Sequence, residues 1–287
     1  MKIQITACQF RIEKAFAFGD FKKRVEELME QVPQDSDYVV FPELLTMGLA
    51  ASFPGADLRR LDEYTAEYKQ LFSTLAKNRG QVIIAGSHLE RRVSRYFNIA
   101  SIFDTDGSYV EHKKTHIFPG EAEWQTSEGE ELEVFSIGPV RFGMAVCYEA
   151  EIPEVSRILA GKGADIIFCP SFTFTEAGFW RVRHCAQARA IENQVYVVHC
   201  PAVGEPGHPL PNGYGRASIL SPCDQAWPSN GVVVEGETNQ HMVITGIVDM
   251  EELYENRKNG AATTVKDRTR RADLYARYEP YGSFVKI

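Results

Sequence analysis

Residues 141–171 read RFGMAVCYEAEIPEVSRILAGKGADIIFCPS, and this stretch decides the fold class. Its first run, RFGMAV, and its last run, ADIIFCPS, are apolar and of the length expected for buried strands. Residues 153–161, between them, have the periodicity of a helix. A strand, a helix and a second strand in this order predict a parallel pair with a helical crossover, as in α/β proteins.

The same alternation continues on both sides of this stretch. Further runs with strand character are IQITACQF, DYVVFPE, QVIIAGSHLE, YFNIASIFD, QVYVVHC, GRASILS and HMVITGIVD. Helical periodicity occurs at residues 20–31, 58–79 and 179–193. A turn at Asp106 and Gly107 separates YFNIASIF from SYVEHKK and predicts an antiparallel hairpin. We therefore expect a mixed sheet with helices outside it, in a single domain.

Three segments lack a clear pattern. Residues 201–215 are rich in Gly and Pro and residues 229–240 are polar, so both are expected to be mobile loops. The tail from residue 251 carries many charges and aromatic residues, with little apolar periodicity. It is predicted to lie across a neighbouring subunit, the alternative being that it folds back on its own chain.

Composition and charge exclude several function classes. The 287 residues include 31 Lys and Arg and 39 Asp and Glu, a formal net charge of −8, and no basic tract favours nucleic acid as a partner. The start, MKIQITACQF, lacks the features of a signal peptide, and no run approaches the ~20 apolar residues that cross a membrane. The cysteines are scattered without a C-x-x-C pair. We expect a soluble, cytoplasmic protein with reduced thiols.

Three reactive side chains follow apolar runs, where open α/β sheets place their functional sites. They are Glu43 after YVVFP, Cys147 after RFGMAV and Ser171 after ADIIFCP. Cys147 alone indicates little, because free cysteines are commonly buried core residues. Glu43 lies between Phe41 and Leu44, apolar surroundings in which a purely solvated role is less natural for a carboxylate.

The segment HKKTHIFPGE adds Lys113, Lys114, His116 and Glu121. Taken alone, it is typical of a polar edge strand whose lysines hinder aggregation. Its histidines do not form the H-E-x-x-H pattern of zinc enzymes, so no metal site is expected there.

In chain order, FPEL, KKTH, VCYE and ADIIFCPS together resemble the nitrilase or carbon–nitrogen hydrolase superfamily, in its amidase-like branch. The resemblance extends from residue 3 to about residue 248. It implies an α/β fold, a four-layer α-β-β-α sandwich of two mixed sheets. It places a carbon–nitrogen hydrolase domain at residues 1–250 and a C-terminal extension of that domain at residues 251–287. A homodimer or larger homo-oligomer is also implied, formed through helices 153–161 and 179–193.

The resemblance further implies hydrolysis of a small-molecule amide without metal or organic cofactor. It assigns the reaction to a triad of Glu43, Lys114 and Cys147, with Glu121 as a second glutamate and Glu123 as the alternative to it. In these roles Glu43 is the base for the thiol, which is mostly un-ionised at its free pKa. Lys114 faces the negative charge of the tetrahedral intermediate, and Glu121 holds Lys114 in position. Water then hydrolyses the Cys147 thioester.

Four further residues are assigned to the substrate pocket. The backbone N–H of Tyr148 is predicted to share the oxyanion role, and Phe172, Thr173 and Trp180 are predicted to bind substrate. The tyrosine after the cysteine favours an amidase, with an N-carbamoyl amidohydrolase or a nitrilase as alternatives that use the same triad. Two other classes stay open, a catalytically silent binding protein on the same fold and a thiol redox protein.

One departure from the family pattern bears on substrate choice. Family members often carry Arg-Phe-Pro-Glu after the cysteine segment, whereas this chain has Glu151, Ile152, Pro153 and Glu154. An acid at a commonly basic position is expected to alter which substrate charge is tolerated.

Overall fold

The computed structural model describes residues 1–278 and contains two mixed β-sheets. Sheet 1 is formed by β1 (Lys2–Gln9), β2 (Tyr38–Val40), β3 (Val82–Arg92), β4 (Arg95–Phe103), β5 (Tyr109–Lys113), β6 (Thr126–Ser127) and β13 (Met242–Asp249). Sheet 2 is formed by β7 (Val134–Ser136), β8 (Arg141–Met144), β9 (Ile166–Ser171), β10 (Tyr196–Pro201), β11 (Ser218–Leu220) and β12 (Val232–Glu235). The spatial orders are β13-β1-β2-β3-β4-β5, with β6 on β4, and β12-β11-β10-β9-β8-β7.

Helices cover the outer face of each sheet. The α-helices of the described residues are α1 (Phe18–Met29), α2 (Thr65–Arg79), α3 (Pro119–Ala122), α4 (Pro153–Gly161), α5 (Glu176–Asn193), α6 (Met250–Asn259), α7 (Thr264–Arg270) and α8 (Ala272–Ala276). The buried faces of α1 and α2 pack on sheet 1, and those of α4 and α5 pack on sheet 2. Within residues 1–278, no helix has the length and apolar character needed to cross a membrane.

The two sheets pack face to face and enclose the main core. Tyr38 of β2 contacts Phe142 of β8 and Phe168 of β9, with ring centroids 5.7 and 5.4 Å apart. The strand β9 is buried along its whole length, because sheet 1 covers one face and helices cover the other. A strand covered on both faces has a continuous apolar run instead of an alternating one. The predicted four-layer α-β-β-α sandwich is confirmed.

The strong sequence patterns correspond to the observed elements. The helix α4 has the predicted bounds, and β4 and β5 form the predicted antiparallel hairpin. The predicted helix at residues 58–79 is divided, because residues Leu58–Tyr64 form a 3₁₀ helix before α2 begins. The predicted loop at residues 229–240 is wrong in part, because it contains β12. This four-residue edge strand is only half buried and has no marked apolar pattern.

The C-terminal tail packs on its own chain up to α7. Leu253 of α6 is buried in the main core, and Gln194 donates a hydrogen bond to the backbone oxygen of Asn256 at 3.0 Å. In α7, Arg268 donates to Asn193 of α5 at 3.2 Å. The alternative in which the tail folds back therefore describes these residues. Packing of the tail on a neighbouring subunit and the boundary at residue 250 stay predictions, and Tyr281, a tail aromatic, lies outside the described residues.

Candidate active site

Glu43, Lys114 and Cys147 follow the ends of β2, β5 and β8, and the structure brings them together where the two sheets meet. All three side chains are almost completely buried, with 2%, 1% and 7% of the residue exposed. We call this group, together with Glu121, the central cluster. The elements that carry it are separate in the chain, so each side chain is positioned by a local turn of its own.

A tight turn after β2 positions Glu43. The backbone N–H of Ser87 donates to the oxygen of Pro42 at 3.3 Å, and the Ser87 hydroxyl accepts from the N–H of Leu44 at 2.9 Å. These contacts use an irregularity in β3 at Gly86, whose φ is +73°. A Cβ atom at Gly86 would lie 1.9 Å from the Pro42 oxygen, so only glycine allows this approach.

Three donors surround the Glu43 carboxylate. Lys114 Nζ lies 2.7 Å and Asn98 Nδ2 2.9 Å from Oε1, and the backbone N–H of Phe172 lies 2.9 Å from Oε2. Burial raises the pKa of Glu43 and the nearby Glu121 adds to this effect, although Lys114 opposes it. Glu43 is therefore a stronger base than a carboxylate in water, as expected for a carboxylate among apolar neighbours.

Lys114 lies between two carboxylates, those of Glu43 and Glu121. Burial alone would lower its pKa, but the two negative charges prevail and raise it, so the side chain stays an ammonium. Glu121 also accepts from Asn98 Nδ2 at 2.8 Å, whereas Glu123 is exposed to solvent. Lys113 is exposed too, because successive residues of a strand point to opposite faces. The geometry thus favours Lys114 and Glu121 over their neighbours.

Cys147 begins a 3₁₀ turn, Cys147–Glu151, with a φ of +49°. Non-glycine residues are uncommon in this left-handed region, and such strain often accompanies functional sites. Burial raises the pKa of the thiol well above its usual value, the charge of Glu43 raises it further, and Lys114 opposes both. Cys147 therefore holds its proton at neutral pH, and a base must remove it when the sulfur reacts.

Glu149 connects the turn at Cys147 to the end of β5. Its carboxylate accepts from the N–H of Val146 at 2.7 Å, from the hydroxyl of Thr115 at 2.6 Å and from Nε2 of His112 at 3.0 Å. Burial opposes its charged form, but His112 and the hydrogen bonds from Thr115 outweigh burial and lower its pKa. Glu149 is thus an ionised buried carboxylate. It connects Thr115, which follows Lys114, to Val146, which precedes Cys147.

A cavity of about 200 Å³ opens in front of Cys147. Tyr148, Phe172 and Thr173 line it, as predicted for the pocket, and the Thr173 hydroxyl donates to the oxygen of Tyr214 at 2.7 Å. Trp180 does not line this cavity. Its ring instead stacks on His184 with centroids 5.3 Å apart, because the helical periodicity of α5 turns it away from the cavity.

Residues 1–278 contain no group of three or more His, Cys, Asp or Glu side chains arranged to hold a metal ion. The polar atoms of the central cluster are instead bonded to one another.

Residues 4–258 match the sequence pattern described as carbon-nitrogen hydrolase. The chain belongs to the carbon–nitrogen hydrolase family. It is 37% identical to the probable hydrolase YhcX of Bacillus subtilis (strain 168), over 95% of this chain and 54% of that protein, so it spans about half of that relative's length. It is 29% identical to the 2-oxoglutaramate amidase of the same organism, over 90% of this chain and 95% of the relative. Omega-amidase NIT2-A of Xenopus laevis is 27% identical, over 96% and 97%.

Solved structures of this hydrolase family share the fold. A carbon–nitrogen hydrolase from Helicobacter pylori G27 matches with a TM-score of 0.81 and 22% identity, covering 97% of this chain and 98% of that one. Saccharomyces cerevisiae Nit3, of the nitrilase superfamily, matches with a TM-score of 0.76 and 24% identity, covering 90% and 93%. The predicted family is confirmed, and with it the prediction that the chain is a carbon–nitrogen hydrolase.

Three residues at the site of this family member were missed by the sequence analysis. Asn98 bonds both Glu43 and Glu121, Glu149 connects two segments, and Arg189 of α5 donates to the oxygens of Ala150 and Glu151. A signal existed for Asn98, because an amide within the apolar run YFNIASIF needs a buried partner. Arginine is mostly exposed in proteins, and nothing in the local pattern indicates that Arg189 is buried.

Proposed function

We propose that this protein hydrolyses the C–N bond of a small linear amide to an acid and ammonia through a thioester on Cys147. The observation that carries the proposal is the central cluster, in which a buried base bonds a fixed ammonium and contacts a protonated thiol that lines a small cavity. Two relatives named as amidases support an amide as the substrate.

The first half of the reaction follows from the protonation states. Glu43 accepts the thiol proton as Cys147 Sγ attacks the carbonyl carbon, and the carbonyl oxygen takes the electron pair. An ammonium has three N–H donors, and Lys114 directs two of them to Glu43 and Glu121. The third is left for the developing oxyanion, together with the backbone N–H of Tyr148.

The second half regenerates the enzyme. Glu43 returns its proton to the nitrogen as the C–N bond breaks, and ammonia leaves a thioester on Cys147. A water molecule then attacks the thioester carbonyl carbon through its oxygen, and Glu43 accepts a proton from this water. The C–S bond breaks, the acid is released, and the thiol recovers its proton.

The raised pKa of Cys147 disfavours the redox alternative. A redox cysteine is generally a thiolate in electropositive surroundings, whereas here burial and Glu43 both favour the protonated thiol.

The test is ammonia release from short linear amides, N-carbamoyl compounds and nitriles. We expect turnover of amides, its loss in Cys147→Ala, and no change in Cys223→Ala, a matched control at an exposed cysteine. Turnover of nitriles or N-carbamoyl compounds alone would replace the amide by one of these alternatives. Amide turnover that survives in Cys147→Ala would overturn the mechanism.

We also propose a homodimer formed through α4 and α5. Ile158 of α4 and Ile191 of α5 are 44% and 37% exposed, on the outer layer that the family resemblance assigns to the contact. Exposed apolar side chains on neighbouring helices favour an interface.

A further inference from the structure

The cavity in front of Cys147 carries an ion pair that the triad does not use. Arg181 Nε, on α5, donates to Glu151 Oε2 at 2.7 Å, and Glu151 ends the turn that begins at Cys147. These are the only charged side chains among the described residues that line the cavity. The other lining side chains carry no formal charge, so the charges of the wall itself come from this pair.

The two partners are unequally placed. The Glu151 side chain is 12% exposed, whereas that of Arg181 is 50% exposed. The carboxylate is therefore enclosed, while solvent screens the attraction of the guanidinium for a ligand. Of the two carboxylate oxygens of Glu151, Oε2 accepts the bond from Arg181, and Oε1 accepts none from the described residues. Oε1 is therefore available to a ligand.

The backbone of Glu151 is fixed from behind. Arg189 is buried and donates through Nη2 to the oxygen of Glu151 and through Nε to the oxygen of Ala150, both at 3.0 Å. Two bonds from one guanidinium hold the turn rigidly. The backbone of Glu151 is thus fixed by Arg189, and the bond from Arg181 holds the carboxylate at the cavity wall, as a specificity group needs.

We propose that Glu151 selects amides whose far end carries a positive charge, such as a primary ammonium group, over amides that end in a carboxylate. This inference rests on the proposed amide hydrolysis at Cys147. An ammonium at Oε1 forms a charge-assisted hydrogen bond, and a carboxylate at the same place meets a like charge in an enclosed site. The cavity, of about 200 Å³, is small. Short ω-amino amides fit this size.

The first test compares kcat/KM for 4-aminobutanamide, butanamide and succinamate, which end in an ammonium, a methyl and a carboxylate group. We expect the ammonium amide to exceed the carboxylate amide by about tenfold or more in the wild type. Glu151→Gln should abolish this ratio. Glu154→Gln, which removes the same charge from an exposed position outside the cavity, should preserve it. A wild-type preference for succinamate, or a ratio that Glu151→Gln leaves unchanged, overturns the inference.

A second test separates this inference from the proposed function. Calorimetry on Cys147→Ala, with and without Glu151→Gln, measures binding of the same three amides without turnover. We expect 4-aminobutanamide to bind most tightly to Cys147→Ala and to lose that advantage in the double variant. If no amide releases ammonia but this binding order holds, the proposed function fails and the charge preference stands. If 4-aminobutanamide does not bind, or binds no better than succinamate, the charge preference fails.

Discussion

Cys147 holds its proton while the adjacent Glu43 has a raised pKa, and this combination determines how the residues of the site depend on pH. The reactive sulfur arises only when the proton passes to Glu43. A carboxylate that must be ionised to act as a base loses that role when pH falls through its pKa.

The acid limb of the activity profile is the first prediction. The kcat/KM for an amide should fall as pH decreases, with a midpoint above the ordinary glutamate value of 4.5, because burial raises the pKa of Glu43. Ammonia release measured across the pH range gives the midpoint. An acid limb at or below 4.5 would contradict the role given to Glu43.

The second prediction concerns the triad as a unit. Glu43→Gln, Lys114→Ala and Cys147→Ala should each lower kcat by about a thousandfold or more, and a double variant should be no worse than the more severe single variant. Lys113→Ala is the matched control, because Lys113 is the exposed neighbour of Lys114. Additive losses in the double variant would show that these residues act independently.

Residue chemistry made the site partly predictable from the sequence. Glu43, Lys114 and Cys147 stand in short motifs whose chain order is informative. Asn98 and Glu149 gain their roles from partners far away in the chain, namely Glu43 for Asn98 and His112 for Glu149. The local pattern around Asn98 indicates that a buried partner is needed but does not say which residue it is, so both roles required the fold.

At the scale of secondary structure, the end of β5 and the turn after β8 share one carboxylate, that of Glu149. The Glu149 carboxylate accepts from the N–H groups of both Val146 and Thr115. A side chain with a donor group at this position would point that donor at other donors and leave a buried N–H without an acceptor. Glu149 therefore helps to set the relative position of Lys114 and Cys147.

The third prediction is that Glu149→Gln lowers kcat more than it changes KM and destabilises the fold by about 1–3 kcal/mol. Denaturant unfolding and steady-state kinetics measure the two effects. Glu149→Asp should recover part of kcat, because it restores the charged acceptor, and Glu154→Gln should change neither quantity. A KM change with unchanged kcat would assign Glu149 to substrate binding instead.

Buried His199 of β10 gives the fourth prediction. Neither ring nitrogen has a hydrogen-bond partner among the described residues, and burial, followed by the charge of Arg183, lowers the pKa of His199 to about 3. The unfolded chain binds a proton below the ordinary value of 6.5 while the folded chain does not. The contribution of neutral His199 to the free energy of unfolding is therefore fully present above pH 6.5. It is lost as pH falls towards 3, by about 1.4 kcal/mol per pH unit.

His199→Phe removes this contribution and keeps a ring that can stack on Phe179. Between pH 7.5 and 5.5 the variant should lose about 1.4 kcal/mol less free energy of unfolding than the wild type. Denaturant unfolding at both values measures the difference. The exposed His184→Phe serves as control, and an equal pH dependence in His199→Phe and the wild type would contradict the prediction.

Element length explains which parts of the fold the sequence reveals. Long periodic segments such as α1 and α5 are detected within a few residues of their observed ends. The strands β6, β7 and β12 have two to four residues each, too few to show an alternation. The tail helix α6 was missed because Met250 and Leu253 are its only buried apolar residues, which is too few for a helical pattern.

The fifth prediction is made for the whole molecule. Light scattering at micromolar concentration should give at least twice the chain mass of 32.3 kDa, because the outer layer of α4 and α5 exposes Ile158 and Ile191. Ile191→Glu should shift the mass towards 32.3 kDa, while Val93→Glu, at a more exposed site on a hairpin turn, should not. A wild-type mass of 32.3 kDa would exclude the proposed dimer.

The pairing of β1 with β13 imposes an order on biosynthesis. The strand β1 leaves the ribosome long before its antiparallel partner at residues Met242–Asp249, because the strands between them in the chain are translated first. Until β13 is made, β1 is an edge strand of the nascent sheet with one side unpaired. Proteins whose paired strands are far apart in the sequence also fold slowly. In a chain that is terminated before Met242, this side of β1 stays unpaired, and such a chain is expected to aggregate or to need chaperones. The sheet is thus completed at this edge only when β13 pairs with β1.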